Sequence, residues 1–165
     1  MVQDETTVQL RGRLIGTWRL TGAELRSTSG KSMYPYGATP RGMLMFDRDG
    51  HMTAVMMQPD RPAFASADPT TGTPDEINAA FQGFDACCGT YSVDEDHSTF
   101  TYHIEACLLP NWVGMDVSRL VRLEPPRLHL RVVRPYTFGG EEWTGVVSWE
   151  RASDGERCEG AGDDR

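Results

Sequence analysis

The feature that most constrains this fold is the frequency of residues that interrupt regular structure. Of 165 residues, 17 are glycine and 10 are proline, and they are scattered rather than repeated. They cut the chain into short pieces, which favours many strands and turns over long helices. Eight strand-like runs lie between them, at residues 15–25, 43–46, 51–57, 89–93, 99–108, 115–123, 127–133 and 143–151.

Three pairs of these runs are predicted to be hairpins. The clearest turn is Asp47-Arg48-Asp49-Gly50, because glycine supplies the positive φ that a tight turn needs. The polar links at 94–98 and 124–126 join the other two pairs. Consecutive hairpins predict an all-β, antiparallel barrel, and about eight strands enclose room for side chains or for one small ligand.

One helix is predicted in the long interval between the third and fourth runs. Thr73-Pro74-Asp75-Glu76 is a capping box with proline at the first helical position. An apolar stripe follows at helical spacing, formed by Ile77, Ala80, Phe81 and Phe84. We expect this accessory helix to lay its stripe on the barrel, either closing one end or packing on the wall.

The domain organisation expected from these patterns is a single unit. Residues 14–151 are predicted to form the barrel, residues 1–13 a partly frayed N-terminal segment, and residues 152–165 a polar C-terminal tail. Residues 1–13 lack the apolar core of a signal peptide, and no apolar run reaches the roughly 18 residues of a membrane span. These observations predict a cytoplasmic protein.

The charge balance bears on possible partners. The net charge of −8 disfavours nucleic acid and anionic membranes, which would be repelled. The four histidines are dispersed, and no Cys-x-x-Cys, phosphate-binding loop or nucleophile motif is present, so neither a metal nor another cofactor is predicted. A disulfide from Cys87 or Cys88 to Cys107 is geometrically possible, and the absence of a secretory signal disfavours it.

Two groups of motifs give the chain a family resemblance. Gly16-Thr17-Trp18 opens the first run and Trp149-Glu150-Arg151 ends the last, which is similar to the lipocalin signature. Further motifs are Pro35-Tyr36-Gly37, Pro40-Arg41-Gly42, Asp49-Gly50-His51-Met52, Asp60-Arg61-Pro62, Ala80-Phe81, Gly89-Thr90-Tyr91 and 110–114 leading to Arg119. Together, from about Leu14 to Arg151, they resemble the lipocalin-like domain family of small intracellular bacterial and fungal proteins.

The resemblance implies an eight-stranded lipocalin-type barrel. It also implies a structural role for Trp18, which would close the barrel floor with Arg151 lying across its ring. Some members of the family lie among genes for secondary metabolites, and related barrels include pericyclic cyclases and plain carriers. A small hydrophobic molecule bound inside the barrel is therefore the expected partner.

Four residues are candidates for catalysis. His103 and Glu105 share a strand face and could act as acid and base on a ligand. The alternative is that the apolar neighbours Phe100, Tyr102 and Ile104 face inward and turn His103 outward. Arg119 could grip a ligand carboxylate or enolate, or instead pair with Glu105 or another acid. Tyr91 could polarise a carbonyl group.

A second set of residues is predicted to contact the ligand. Aromatic side chains offer rigid surface with a polar tip, and flexible thioethers fit irregular molecules. Ordinary core packing is the alternative for each member of the set. The candidates are Tyr36, Met43, Met45, Met56, Tyr102, Trp112 and Trp143.

The leading hypothesis is a cofactor-independent cyclase or isomerase for a hydrophobic secondary metabolite, polyketide-like or terpenoid-like. It would hold a flexible substrate in a reactive conformation. Two alternatives remain open: a non-catalytic intracellular carrier of a lipid-like molecule, and a filled barrel with a structural role. The barrel interior distinguishes the three hypotheses. Polar groups in an open cavity favour the enzyme, a wholly apolar cavity favours the carrier, and a filled interior favours the structural role.

Overall fold

The computed structural model describes residues 9–68 and 70–153. Two α-helices are present, α1 (Leu10–Leu14) and α2 (Pro74–Gln82), together with a 3-10 helix at Pro110–Trp112. The strands are β1 (Gly16–Ser27), β2 (Ser32–Met33), β3 (Arg41–Phe46), β4 (His51–Met57), β5 (Phe84–Asp94), β6 (Thr99–Cys107), β7 (Asp116–Glu124), β8 (Arg127–Val132), β9 (Tyr136–Phe138) and β10 (Glu141–Arg151). In this part of the chain, no helix has the length and apolar character needed to cross a membrane.

The strands form a closed antiparallel barrel. Neighbours follow the order β1-β3-β4-β5-β6-β7-β8-β10, and β10 pairs back onto β1. Each of these eight strands overlaps one of the predicted runs, so the eight-stranded barrel is confirmed. The short strands β2 and β9 extend the sheet beside β1 and β10.

The barrel interior follows the simple alternation of a sheet with an apolar core. On β6, Phe100, Tyr102 and Ile104 are all buried. A bulge then shifts the register between β5 and β6, so that Cys107 packs against the core. At the bulge, a Cβ on Gly89 would lie 1.8 Å from a backbone oxygen of β6, which is why only glycine fits there.

A short helix closes the lower end of the barrel. The amides of Leu10 and Arg11 donate to the Glu95 carboxylate, at 2.7 and 3.0 Å. Leu14 is fully buried, and its carbonyl accepts a hydrogen bond from Trp18 Nε1 at 2.8 Å. Within the segment predicted to be partly frayed, residues 10–13 are thus helical, because a carboxylate from a distant turn caps this helix.

Arg151 completes the same floor from the last strand. It pairs with Trp18 across β1 and β10, and its guanidinium carbon lies 4.1 Å from the centroid of the Trp18 ring. The guanidinium also donates to the carbonyls of Ile15, at 3.0 Å, and of Arg13. Arg151 thus connects the end of α1 to the Trp18 ring at the floor.

The longer helix begins as predicted but packs differently. Both hydrogen bonds of the Thr73–Glu76 capping box are present. However, Ile77 is 54% exposed and Phe81 is 40% exposed, and no residue of α2 is buried. The expected burial of the stripe is therefore wrong. Phe84 instead begins β5, where the guanidinium of Arg61 lies 5.0 Å from its ring centroid.

Candidate functional site: a cavity inside the barrel

The barrel encloses a cavity of about 480 Å³ above its floor. Most of its wall is apolar, and small residues at inward positions, Ala23, Ala54 and Gly145, leave the space open. Ligand pockets of proteins commonly span about 300–1,000 Å³. The cavity therefore has room for one small molecule, and the filled barrel is excluded.

A carboxyl and a phenol meet at one side of the cavity. Tyr36 lies in the loop after β2 and donates its hydroxyl to Asp85 Oδ2 at 3.3 Å. Burial raises the pKa of the Asp85 carboxyl, and the hydrogen bond from Tyr36 opposes this rise. Burial, reinforced by the nearby Asp85 charge, raises the pKa of the Tyr36 phenol, which stays protonated at neutral pH and can donate.

A guanidinium and a second phenol form another polar pair. Arg119 lies on the inward face of β7, and one of its Nη atoms donates to the Tyr136 hydroxyl at 2.8 Å. The other donates to the Ser118 carbonyl at 3.1 Å, and the guanidinium carbon is 5.8 Å from the Tyr102 ring centroid. Among the ion pairs formed within residues 9–68 and 70–153, none involves Arg119. The predicted alternative, a pair with Glu105 or another acid, is not present there.

Two further groups of the wall are neutral at physiological pH. Burial raises the pKa of the Cys87 thiol to about 12. Burial also raises the pKa of the Tyr102 phenol, although the Arg119 charge opposes the rise. The cavity thus combines an apolar wall with neutral hydroxyl and thiol groups, the Arg119 guanidinium and the half-buried Asp85 carboxyl.

A lipocalin-like domain model matches residues 15–152. The chain belongs to the lipocalin-like domain family. One relative is the 4'-hydroxy-3'-methoxypropiophenone carrier protein ppsC of Aspergillus oryzae, which is 26% identical over 106 residues, covering 61% of this chain and 96% of the relative. A solved lipocalin-like protein from Bacteroides uniformis is 15% identical with a TM-score of 0.43, covering 86% of this chain and 100% of the other.

Several of the predicted ligand contacts lie on the cavity wall of this lipocalin-like domain, namely Tyr36, Met56, Tyr102 and Trp112, together with Arg119. Met43 and Met45 lie on the outer face of β3, because Leu44 and Phe46 take its inward positions. Trp143 is buried in β10 but is not part of the cavity wall.

Three predicted catalytic residues lie away from the cavity. The His103 side chain is 49% exposed, and its Nδ1 is 2.9 Å from Asp116 Oδ1 on the outside of the barrel. Glu105, beside the bulge, is also exposed. Tyr91 is buried in the floor, where its hydroxyl donates to the Asp47 carbonyl at 2.8 Å. Sheet alternation thus turns His103 and Glu105 outward and does not bring them together with Arg119.

Several wall residues were missed as site candidates, among them Met52, Asp85, Tyr136 and Trp149. Asp85 precedes Cys87 by two positions and so shares its face of β5, but the predicted run began only at residue 89. Trp149 was noted only as part of the terminal motif of the last strand. In the described ranges, no cluster of three or more histidine, cysteine or acidic side chains could hold a metal ion.

Proposed function

We propose that this lipocalin-like domain binds one small, mainly apolar molecule inside its barrel and carries it without chemical change. The cavity, with an apolar wall and a few converging polar groups, supports the binding of such a molecule most strongly. Its polar groups would also suit an enzyme, so the choice of a carrier depends on the relative from Aspergillus oryzae. Such a lining holds an apolar body by burial and orients it by a small number of hydrogen bonds.

The carrier from Aspergillus oryzae adds support for this choice. Its name specifies an aryl ketone with a phenol hydroxyl, a molecule with an apolar body and oxygen groups. The Tyr36–Asp85 and Arg119–Tyr136 pairs offer partners for oxygen groups of this kind. We therefore extend the carrier role to this chain, with aryl ketones as the first ligand class to test.

Calorimetric titration with 4'-hydroxy-3'-methoxypropiophenone tests this proposal. We expect one molecule to bind per chain. Ala54→Leu places a larger side chain at an inward position of the cavity wall and should weaken binding at least about tenfold by steric exclusion. Ala106→Leu is the matched control, since Ala106 is exposed. No binding of any aryl ketone, or equal loss in both variants, would contradict the carrier role.

A second candidate, the cyclase or isomerase, has its own supporting observation. Asp85 and Arg119 both line the cavity, and burial raises the pKa of the Asp85 carboxyl toward the range useful for proton transfer. Arg119 could stabilise negative charge on a substrate oxygen. In this version Asp85 replaces the His103–Glu105 pair as the acid–base group.

Metabolite profiling after gene deletion separates the two candidates. The enzyme predicts accumulation of an unrearranged precursor, and a strain carrying Asp85→Asn should accumulate the same precursor. The carrier predicts that no such precursor builds up. Complementation with Glu150→Gln, an exposed site on β10, serves as the control and should restore the original profile in both cases.

A further inference from the structure

Two polar atoms of the cavity wall are buried without a protein partner. Within residues 9–68 and 70–153, neither Trp149 Nε1 nor Asp85 Oδ1 has a hydrogen-bond partner. Buried polar groups are nearly always paired, because an unpaired one costs the fold its lost hydration. Both residues line the cavity, and their unpaired atoms have almost no exposed surface, so a bound molecule reaches these atoms when the side chains turn toward it.

The two atoms need different hydrogen-bonding partners. An indole Nε1–H only donates, so Trp149 requires a hydrogen-bond acceptor. Asp85 already uses Oδ2 to accept from Tyr36, which leaves Oδ1 to interact with the cavity. A hydroxyl group suits Oδ1 in either protonation state, because a hydroxyl can donate to a carboxylate and accept from a carboxylic acid.

The two residues also lie on strands that are well separated around the barrel. Asp85 lies on β5 and Trp149 on β10. Around the closed barrel, three strands separate β5 from β10 in each direction, β6, β7 and β8 on one side and β4, β3 and β1 on the other. The two strands are therefore not neighbours, and Asp85 and Trp149 can contact different ends of one ligand.

We infer that the ligand carries a hydroxyl group bound by Asp85 and, at its other end, a carbonyl or ether oxygen bound by Trp149. This inference rests on the proposed binding function and adds the ligand's polarity and its orientation in the barrel. Asp85 and Trp149 are then the residues that determine specificity. A site built to bond a polar group discriminates against an analogue that lacks it, because its own buried group stays unpaired.

Four matched probes test the inference by calorimetry. Para-hydroxybenzophenone offers both groups, para-methoxybenzophenone lacks the hydroxyl proton, para-benzylphenol lacks the carbonyl, and diphenylmethane lacks both. We expect the first to bind about five- to tenfold more tightly than either single-group analogue, as one hydrogen bond at each end predicts. Diphenylmethane should bind the most weakly.

Two substitutions assign the preferences to residues. Trp149→Phe removes the indole N–H and should make para-hydroxybenzophenone and para-benzylphenol bind equally, while leaving the hydroxyl preference intact. Asp85→Asn should place an amide N–H₂ where Oδ1 lies in the parent protein. Because this group donates equally to a hydroxyl or a methoxy oxygen, the preference for hydroxyl over methoxy should be lost. Glu150→Gln, exposed on the outside of β10, should leave the ratios of binding affinity among the four probes unchanged.

The outcomes separate this inference from the proposed function. If all four probes bind within twofold of one another, the cavity binds apolar molecules and the polarity inference is overturned. If none binds, the proposed function itself fails. The comparison among probes with the unmodified protein decides the question even where a variant does not fold.

Discussion

Removing the guanidinium of Arg151 should open the floor of the barrel. The side chain stacks on the indole of Trp18, with its guanidinium carbon 4.1 Å from the ring centroid. It also donates to two carbonyls at the end of α1, those of Arg13 and Ile15. Arg151→Ala deletes all three contacts at once and leaves both carbonyls dependent on water.

The size of the effect follows from these contacts. A cation–π contact at an exposed site contributes about 0.5–1 kcal/mol. Hydrogen bonds from a charged donor contribute about 1.5–3 kcal/mol each when buried, and we take about 1 kcal/mol each because Arg151 is exposed. The sum is about 3 kcal/mol. For a chain of this size, this corresponds to a fall in Tm of roughly 6–12 °C.

Urea unfolding followed by far-ultraviolet circular dichroism measures this change. Arg127→Ala, which removes an exposed arginine from β8, controls for the loss of a surface charge. Arg151→Lys should be intermediate, because an ammonium keeps the charge but cannot donate to two carbonyls with the same planar fork. A loss in Arg151→Ala within about 0.5 kcal/mol of the Arg127→Ala loss would refute the structural role of the stacked pair.

Three other predictions concern the wall of the barrel. Because burial holds the Asp85 pKa above its unfolded value of about 3.9, the ionised carboxylate destabilises the fold at neutral pH. Asp85→Asn should therefore be more stable than the parent protein at pH 7 in urea unfolding, and this difference in stability should vanish below about pH 4. A difference that persists below pH 4 would show that the ionised carboxylate is not its cause. The thiol of Cys87, with a pKa of about 12, should react with iodoacetamide at pH 8 far more slowly than the exposed Cys88. Fragment-ion mass spectrometry measures the alkylation rate at each cysteine, and equal rates at Cys87 and Cys88 would disprove the burial of Cys87. Gly89→Ala should cost about 3 kcal/mol or prevent folding, whereas Gly22→Ala, whose Cβ would have no neighbour within 4 Å, should unfold like the parent in the same urea titration.

The strands were predictable because their signals are local. Turn residues such as Gly50 and the alternation of apolar residues on β6 mark hairpins without knowledge of the rest of the fold. The start of α2 was equally local, since Thr73 and Glu76 form the capping box with each other. In contrast, α1 has five residues, too few for a periodic pattern, and its first amides are capped by Glu95, which is distant in the sequence.

The site was less predictable because it depends on where strands begin and which face turns inward. Starting the fourth predicted run, which corresponds to β5, at residue 89 left Asp85 outside any strand, although it shares the inward face with Cys87. Met43 and Met56 are both methionines on strands, and only the pairing of β3 with β4 shows that Met56 faces the cavity while Met43 faces out. The bulge opposite Gly89 likewise arises from the pairing of two strands rather than from either strand alone.

The most direct test of ligand binding inside the barrel uses the methionine methyl groups as reporters. Met52 and Met56 line the cavity, whereas Met43 and Met45 lie on the outer face of β3. In a ¹³C-methyl spectrum titrated with para-hydroxybenzophenone, we expect the resonances of Met52 and Met56 to shift with one saturation curve while those of Met43 and Met45 stay in place. Shifts confined to Met43 and Met45, or no shift at all, would contradict binding inside the barrel.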